Sequence, residues 1–221
     1  MNKLSLLIAV LFLTPVLFAQ QKTSFGIRAG IAHSGLRGEA MTNLQEMIDF
    51  SKGMITTKDR TGFFAGGYAS IPVGPAFSVE PGLYYTQRGY AMRGELDSKG
   101  WSVLGANAKA QLNTHYIDLP VVLKASIGGL QLFAGPQFSY LAKADLRATA
   151  GALGFNVYNR KWDATDEVNR FDAGFTGGIG FRFNSGVNIS ASYDHGLVKT
   201  DANERFEAYN RTLKVGVGFS F

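Results

Sequence analysis

Nine charged side chains stand inside stretches where apolar and polar residues alternate: Arg28, Glu80, Arg88, Asp118, Lys124, Asp172, Arg182, Asp194 and Lys214. A buried charge is tolerated only when it is paired and hydrogen-bonded. The nine therefore read as an ion-pair network, five positive against four negative. Glu80 is expected near Arg28, Lys124 and Arg182, and Asp118, Asp172 and Asp194 near Arg88. The alternative is a wetted interior with each charge hydrated separately.

Nucleophilic or acid–base chemistry has thinner support. The candidates are His33 with Ser34, His115, and Asp194 with His195. Neighbours in a strand point to opposite faces, so neither adjacent pair can hydrogen-bond as base and nucleophile. With no cysteine and no histidine pair at ligand spacing, no metal is expected. Gly178 and Gly180 lie within a strand rather than at a strand-to-helix turn, so they do not read as a phosphate loop. No catalytic residue and no cofactor is expected.

The elements that carry these residues are strands. At the end of the chain Leu213, Val215, Val217, Phe219 and Phe221 alternate with Thr212, Lys214, Gly216, Gly218 and Ser220, a period of two. The same alternation predicts seven earlier strands, near 25–32, 62–73, 77–90, 116–127, 130–140, 171–183 and 187–194. Gly74–Pro75, Gly128–Gly129 and Asn184–Gly186 make short turns. Longer loops are expected at about 34–61, 91–114, 142–170 and 198–208, with one or two helical turns available to 43–51. Connections thus alternate long and short, which leaves both termini on the short-turn side. Lys3, the apolar run Leu4–Leu13 and Ala19 read as a cleaved signal peptide over residues 1–19, with a barrel domain over 20–221.

One face of nearly every strand is Phe, Leu, Ile, Val or Ala, and the other holds the glycines, serines and charges. Eight strands enclose a space only wide enough for side chains, and the bulky apolar set would not fit there. The apolar face therefore points outward into lipid. The fold class is all-β, an eight-stranded antiparallel up-and-down transmembrane barrel. Tyr84, Tyr85, Tyr90, Trp101, Tyr116, Tyr140, Trp162, Tyr193 and Tyr209 lie mostly toward the loop-side strand ends, where an aromatic belt belongs. Tyr84 and Tyr116 are the two that point inward. Removing Lys3 leaves 21 basic against 17 acidic side chains, a dispersed +4 that does not point to nucleic acid.

The opening F-G-I-R-A-G, the later F-S-V-E-P-G-L-Y-Y-T-Q-R-G, Y-I-D-L-P-V-V-L-K and A-G-P-Q, and the terminal G-V-G-F-S-F stand in an ordered series. In that order they resemble the "porin family" or PorT-like outer-membrane barrels of Gram-negative envelopes, over about residues 23–221. The resemblance implies an eight-stranded barrel in the cell outer membrane, with both termini periplasmic. Lys214, Gly216, Phe219 and Phe221 also look like the C-terminal signal read by the barrel-insertion machinery. The expected function is a non-enzymatic integral barrel anchoring four surface loops, for binding, adhesion or envelope structure. Its partners would be outer-membrane lipid, the insertion machinery and an extracellular ligand or envelope protein met by the loops. A narrow pore or secretion-accessory component is the second reading, and a soluble lipocalin-like ligand-binding barrel the third.

Overall fold

The computed structural model describes residues 22–39, 41–43, 46, 55–96, 106–152, 155–202 and 207–221. The expected signal peptide, Trp101 and three residues of the expected helical turn, Leu44, Met47 and Ile48, lie outside them. Of that stretch Asn43 and Glu46 are helical, and just before it Met41 and Thr42 are helical too, their amides donating to the Gly38 carbonyl.

The chain forms nine strands: β1 (Ser24–Arg37), β2 (Ile55–Pro72), β3 (Phe77–Leu96), β4 (Ala106–Ile127), β5 (Leu130–Ala152), β6 (Phe155–Asp163), β7 (Phe171–Arg182), β8 (Val187–Lys199) and β9 (Tyr209–Ser220). Each pairs antiparallel with its neighbour from β1 to β5, then β5 with β7, β7 with β8, β8 with β9, and β9 back to β1. That pairing closes a ring of eight and leaves the ring without a free edge. Among the described residues no helix is long and apolar enough to cross a membrane; the crossing is made by strands.

Which way the faces point follows from exposure. Val217, Ile27 and Phe175 are about 60% exposed, while Lys214 and Asp118 on the opposite parity are buried. Along β9 the outward set Leu213 to Phe221 spans about 27 Å at ~3.4 Å per residue. At the ~40° tilt usual for such barrels this is roughly 21 Å along the membrane normal, close to the usual apolar band. Gly128 and Gly186 close two of the short turns with φ of 59° and 88°, values at which a Cβ would be strained.

β6 corrects the sequence reading. It lies wholly within 142–170, expected as loop, and pairs with the far part of β5 from Asp145 to Ala152. β3 and β4 likewise extend into 91–114, expected as loop, and β5 runs on into 142–170. Together with β6 and the start of β2 they build a sheet that projects beyond the ring on the loop side. The sequence hid it because the bulky lipid-facing residues stop there and the remaining alternation, Ala108, Ala110 and Leu112 against Lys109, Gln111 and Asn113, puts mostly alanine on the other face. Trp162, assigned to the belt, sits on this projection, paired across from Leu146.

Candidate functional site

The lumen is filled from the short-turn end upward. Tyr68 spans it low down, its hydroxyl 2.8 Å from Ser220 Oγ and accepting from Asn188 Nδ2 at 3.1 Å. Above lies a first ionic cluster. Both terminal nitrogens of Arg28 donate to Glu80 Oε1 at 3.3 Å, and Lys124 Nζ pairs with Glu80 Oε2. The Arg28 guanidinium also stacks 4.6 Å from the Tyr68 ring centre, a contact that favours a cation. β1 brings Arg28 opposite Gly66 on one side and Gly218 on the other. Those two glycines leave room for its side chain in the narrow interior.

A second cluster centres on Asp118, which has no exposed surface. Arg88 Nη2 donates to Asp118 Oδ1 at 2.6 Å and Lys214 Nζ to Oδ2 at 2.9 Å. Thr86 and Ser139 hydroxyls add donations at 2.6 and 2.7 Å. Lys214 reaches on to Asp194 at 2.7 Å, and Arg88 Nη1 lies 3.5 Å from Asp172. Asp194 also accepts from Thr176 Oγ1 at 2.8 Å, and Asp172 from Asn210 Nδ2 at 2.8 Å. Tyr116, Leu141, Ala144, Ala164 and Val168 pack together on the loop side. A cavity of about 40 Å³ separates the two clusters, lined by Arg28 and Glu80 from one and by Asp194 and Lys214 from the other.

Eight of the nine expected residues thus meet inside the ring, and Arg182 does not. It ends β7 at the short-turn rim, exposed, and forms no ion pair among the described residues. Without it Arg28, Arg88, Lys124 and Lys214 face Glu80, Asp118, Asp172 and Asp194, so that four positive charges balance four negative. Asp194, expected near Arg88, takes Lys214 as its direct partner. The reason is stagger: strand tilt sets which inward positions share a height, and a linear sequence does not state it. The same stagger brings in Thr86, Ser139, Thr176 and Asn210, whose only sequence signal was their inward parity.

The histidines sit apart from this cluster. His33 Nδ1 is 3.0 Å from Thr61 Oγ1, its cross-strand partner, and Nε2 is 3.7 Å from Asp59 Oδ2. The second distance is too long for the hydrogen bond that would orient an imidazole base. Asp59 is moreover engaged by Arg211 at 2.9 Å. His115 Nδ1 shares a hydrogen bond with the Tyr85 hydroxyl, and His195 stacks against Tyr193. Among the described residues no group of three or more His, Cys, Asp and Glu is placed to hold a metal ion.

A family model for the outer membrane protein beta-barrel domain matches residues 18–202. The chain belongs to that family. As a member it is an integral barrel of the outer membrane; the matched region stops short of β9, which the structure shows to be the strand that closes the ring on β1. No curated protein sequence matches it. Among solved structures it is similar to Ail, the attachment invasion locus protein of Yersinia pestis, at 14% identity and TM-score 0.45, covering 91% of this chain and 100% of that one. Neisserial surface protein A is similar at 12% identity and TM-score 0.42, covering 91% and 100%. OprG from Pseudomonas aeruginosa is similar at 13% identity and TM-score 0.37, covering 91% and 97%.

Proposed function

We propose that this outer-membrane barrel is a sealed, non-enzymatic anchor. Its lumen is plugged by the two ionic clusters, and its projecting sheet and loops do the work of binding, adhesion or envelope structure. The observation that carries the reading is the charge balance of the buried set, four against four and tied to neutral donors. An ion entering such a lumen would have to break pairs that are already satisfied. Both termini are read as periplasmic, with the loop side facing outward; an extracellular ligand or an envelope protein would be met there. Lys214, Gly216, Phe219 and Phe221 serve in this reading as the signal for the insertion machinery, and the narrower assignment to porin-family or PorT-like barrels belongs with it.

Planar-bilayer recording tests the plug. Silence at modest voltage is expected, and steady open channels would overturn it. Protease treatment of intact cells tests orientation: cleavage is expected in the loop-side segments while the barrel stays whole. A narrow pore is the second reading, favoured by the cavity between the clusters and by Arg88 Nε and Asp172 Oδ1, which have no hydrogen-bond partner among the described residues. The two readings part on conductance alone.

A further inference from the structure

Strand register orders the outward face of the projecting sheet into rows. The first holds Tyr85, Ile117 and Tyr140, at the edge of the apolar band. The next holds Gln87, His115 and Lys143, and then come Gly89, Asn113, Asp145 and Asp163. Above these lie Ala91, Gln111, Arg147 and Lys161, and finally Arg93, Lys109, Thr149 and Asn159. Successive rows are about 7 Å apart along the strands, and all share the side that faces lipid lower down.

Two of these rows set like charges directly across from each other, Arg147 against Lys161 and Arg93 against Lys109. Directly opposed like charges destabilise a sheet. The carboxylates described nearby relieve them only in part. Asp163 is taken up by Thr165, whose amide donates to it at 2.9 Å and whose hydroxyl also donates. Asp145 serves Lys161 at 3.0 Å and Lys143 at 3.7 Å. Arg147 donates to the neutral Asn159 at 3.0 Å, and among the described residues Arg93, Lys109 and Arg147 form no ion pair. Within these rows Arg93, Lys109, Lys143, Arg147 and Lys161 stand against Asp145 and Asp163, a net +3.

We propose that this face is a docking surface for the phosphates of glycolipid headgroups in the leaflet on the loop side. Arg147 with Lys161 and Arg93 with Lys109 form the two phosphate-binding pairs. A soluble polyanion would satisfy the same charges. The lipid is favoured because the cationic rows continue the lipid-facing surface, beginning one row beyond its tyrosines, so a headgroup whose acyl chains lie on Ile117, Leu119 and Phe138 meets them without leaving the wall. An anion bridging each pair turns an unfavourable juxtaposition into a favourable one. The proposal rests on the outward orientation given above for the loop side, because phosphorylated glycolipid belongs to the outer leaflet.

Native mass spectrometry of the full barrel folded in neutral detergent tests it, with bisphosphorylated lipid A and its dephosphorylated form as probes. The wild-type protein is expected to retain the bisphosphorylated form about tenfold better. The double variant R147Q/K161Q should lose most of that preference, and R93Q/K109Q should weaken it independently. R182Q, at the opposite rim, should keep it. Heat-modifiable gel mobility checks that each variant folds. Equal retention of both lipid forms, unchanged retention by both double variants, or preferential capture of a soluble sulfated polysaccharide over lipid A would overturn the proposal. The micelle measurement is blind to orientation. A failed protease experiment with intact lipid retention would therefore displace the outward reading and the glycolipid with it, leaving only a phosphate-binding face.

Discussion

Replacing Glu80 by Gln removes the carboxylate shared by Arg28 and Lys124 while keeping nearly the same shape. The first cluster then passes from two cations and one anion to two cations facing each other across the lumen. Stripping one partner from a buried pair typically costs about 3–5 kcal/mol, because the remaining charge is left uncompensated. Here two charges lose their partner at once, which pushes toward the upper end. The adjoining cavity of about 40 Å³ admits water and pulls the other way. A net loss of about 3 kcal/mol is expected for E80Q. Removing Lys124 as well, in E80Q/K124M, should recover part of it, since Arg28 then stands alone beside Tyr68 and Tyr84. The coupling between positions 80 and 124 should reach about 2 kcal/mol. Reversible urea unfolding in lipid vesicles, followed by far-ultraviolet circular dichroism, measures all members of the cycle. A coupling below about 0.5 kcal/mol would mean that the two side chains are hydrated separately, and the plug would have to be abandoned.

Three further outcomes follow from other parts of the wall. A Cβ at Gly30 would collide with the Val215 carbonyl in the β1–β9 ladder, whereas at Gly67 the nearest atom lies 3.5 Å away. G30V should therefore lose the heat-modifiable folded band while G67V keeps it. On the lipid face, V217R should cost roughly 2–4 kcal/mol if Val217 sits near the membrane midplane, measured by the same urea titration, and the same change at the rim residue Ile127 should cost much less. On the projecting sheet, the Thr165 hydroxyl and amide hold the Asp163 carboxyl below its ordinary value. A depressed carboxyl pKa stabilises the turn above the unfolded value near 3.8 and loses that stabilisation as pH falls through the folded value. Amide exchange at Thr165 should accordingly be protected at pH 6 and speed up, relative to intrinsic rates, below about pH 4; protection unchanged with pH would refute the turn's role.

The wall of this barrel was legible from residue types alone because lipid imposes a strict rule. Every second side chain along the membrane-spanning part of each ring strand meets hydrocarbon, so Phe25, Ile27 and Ile31 or Leu213, Val215 and Val217 announce both the strand and its outward face. The inward parity of Arg28, Glu80, Arg88, Asp118, Lys124, Asp172, Asp194 and Lys214 follows from the same rule. Two things were decided only in three dimensions. The sheet built by β6 and the ends of β3 to β5 lies beyond the hydrocarbon, and there the apolar residues change faces and are mostly alanine, as at Ala108 and Ala110, so the lipid-facing pattern does not mark it. The choice of partners inside, Lys214 between Asp118 and Asp194 with Arg182 left at the rim, depends on how far each tilted strand is shifted past the next. Side-chain chemistry fixes the sign of a charge and the face it occupies; its height in the lumen is a property of the closed ring.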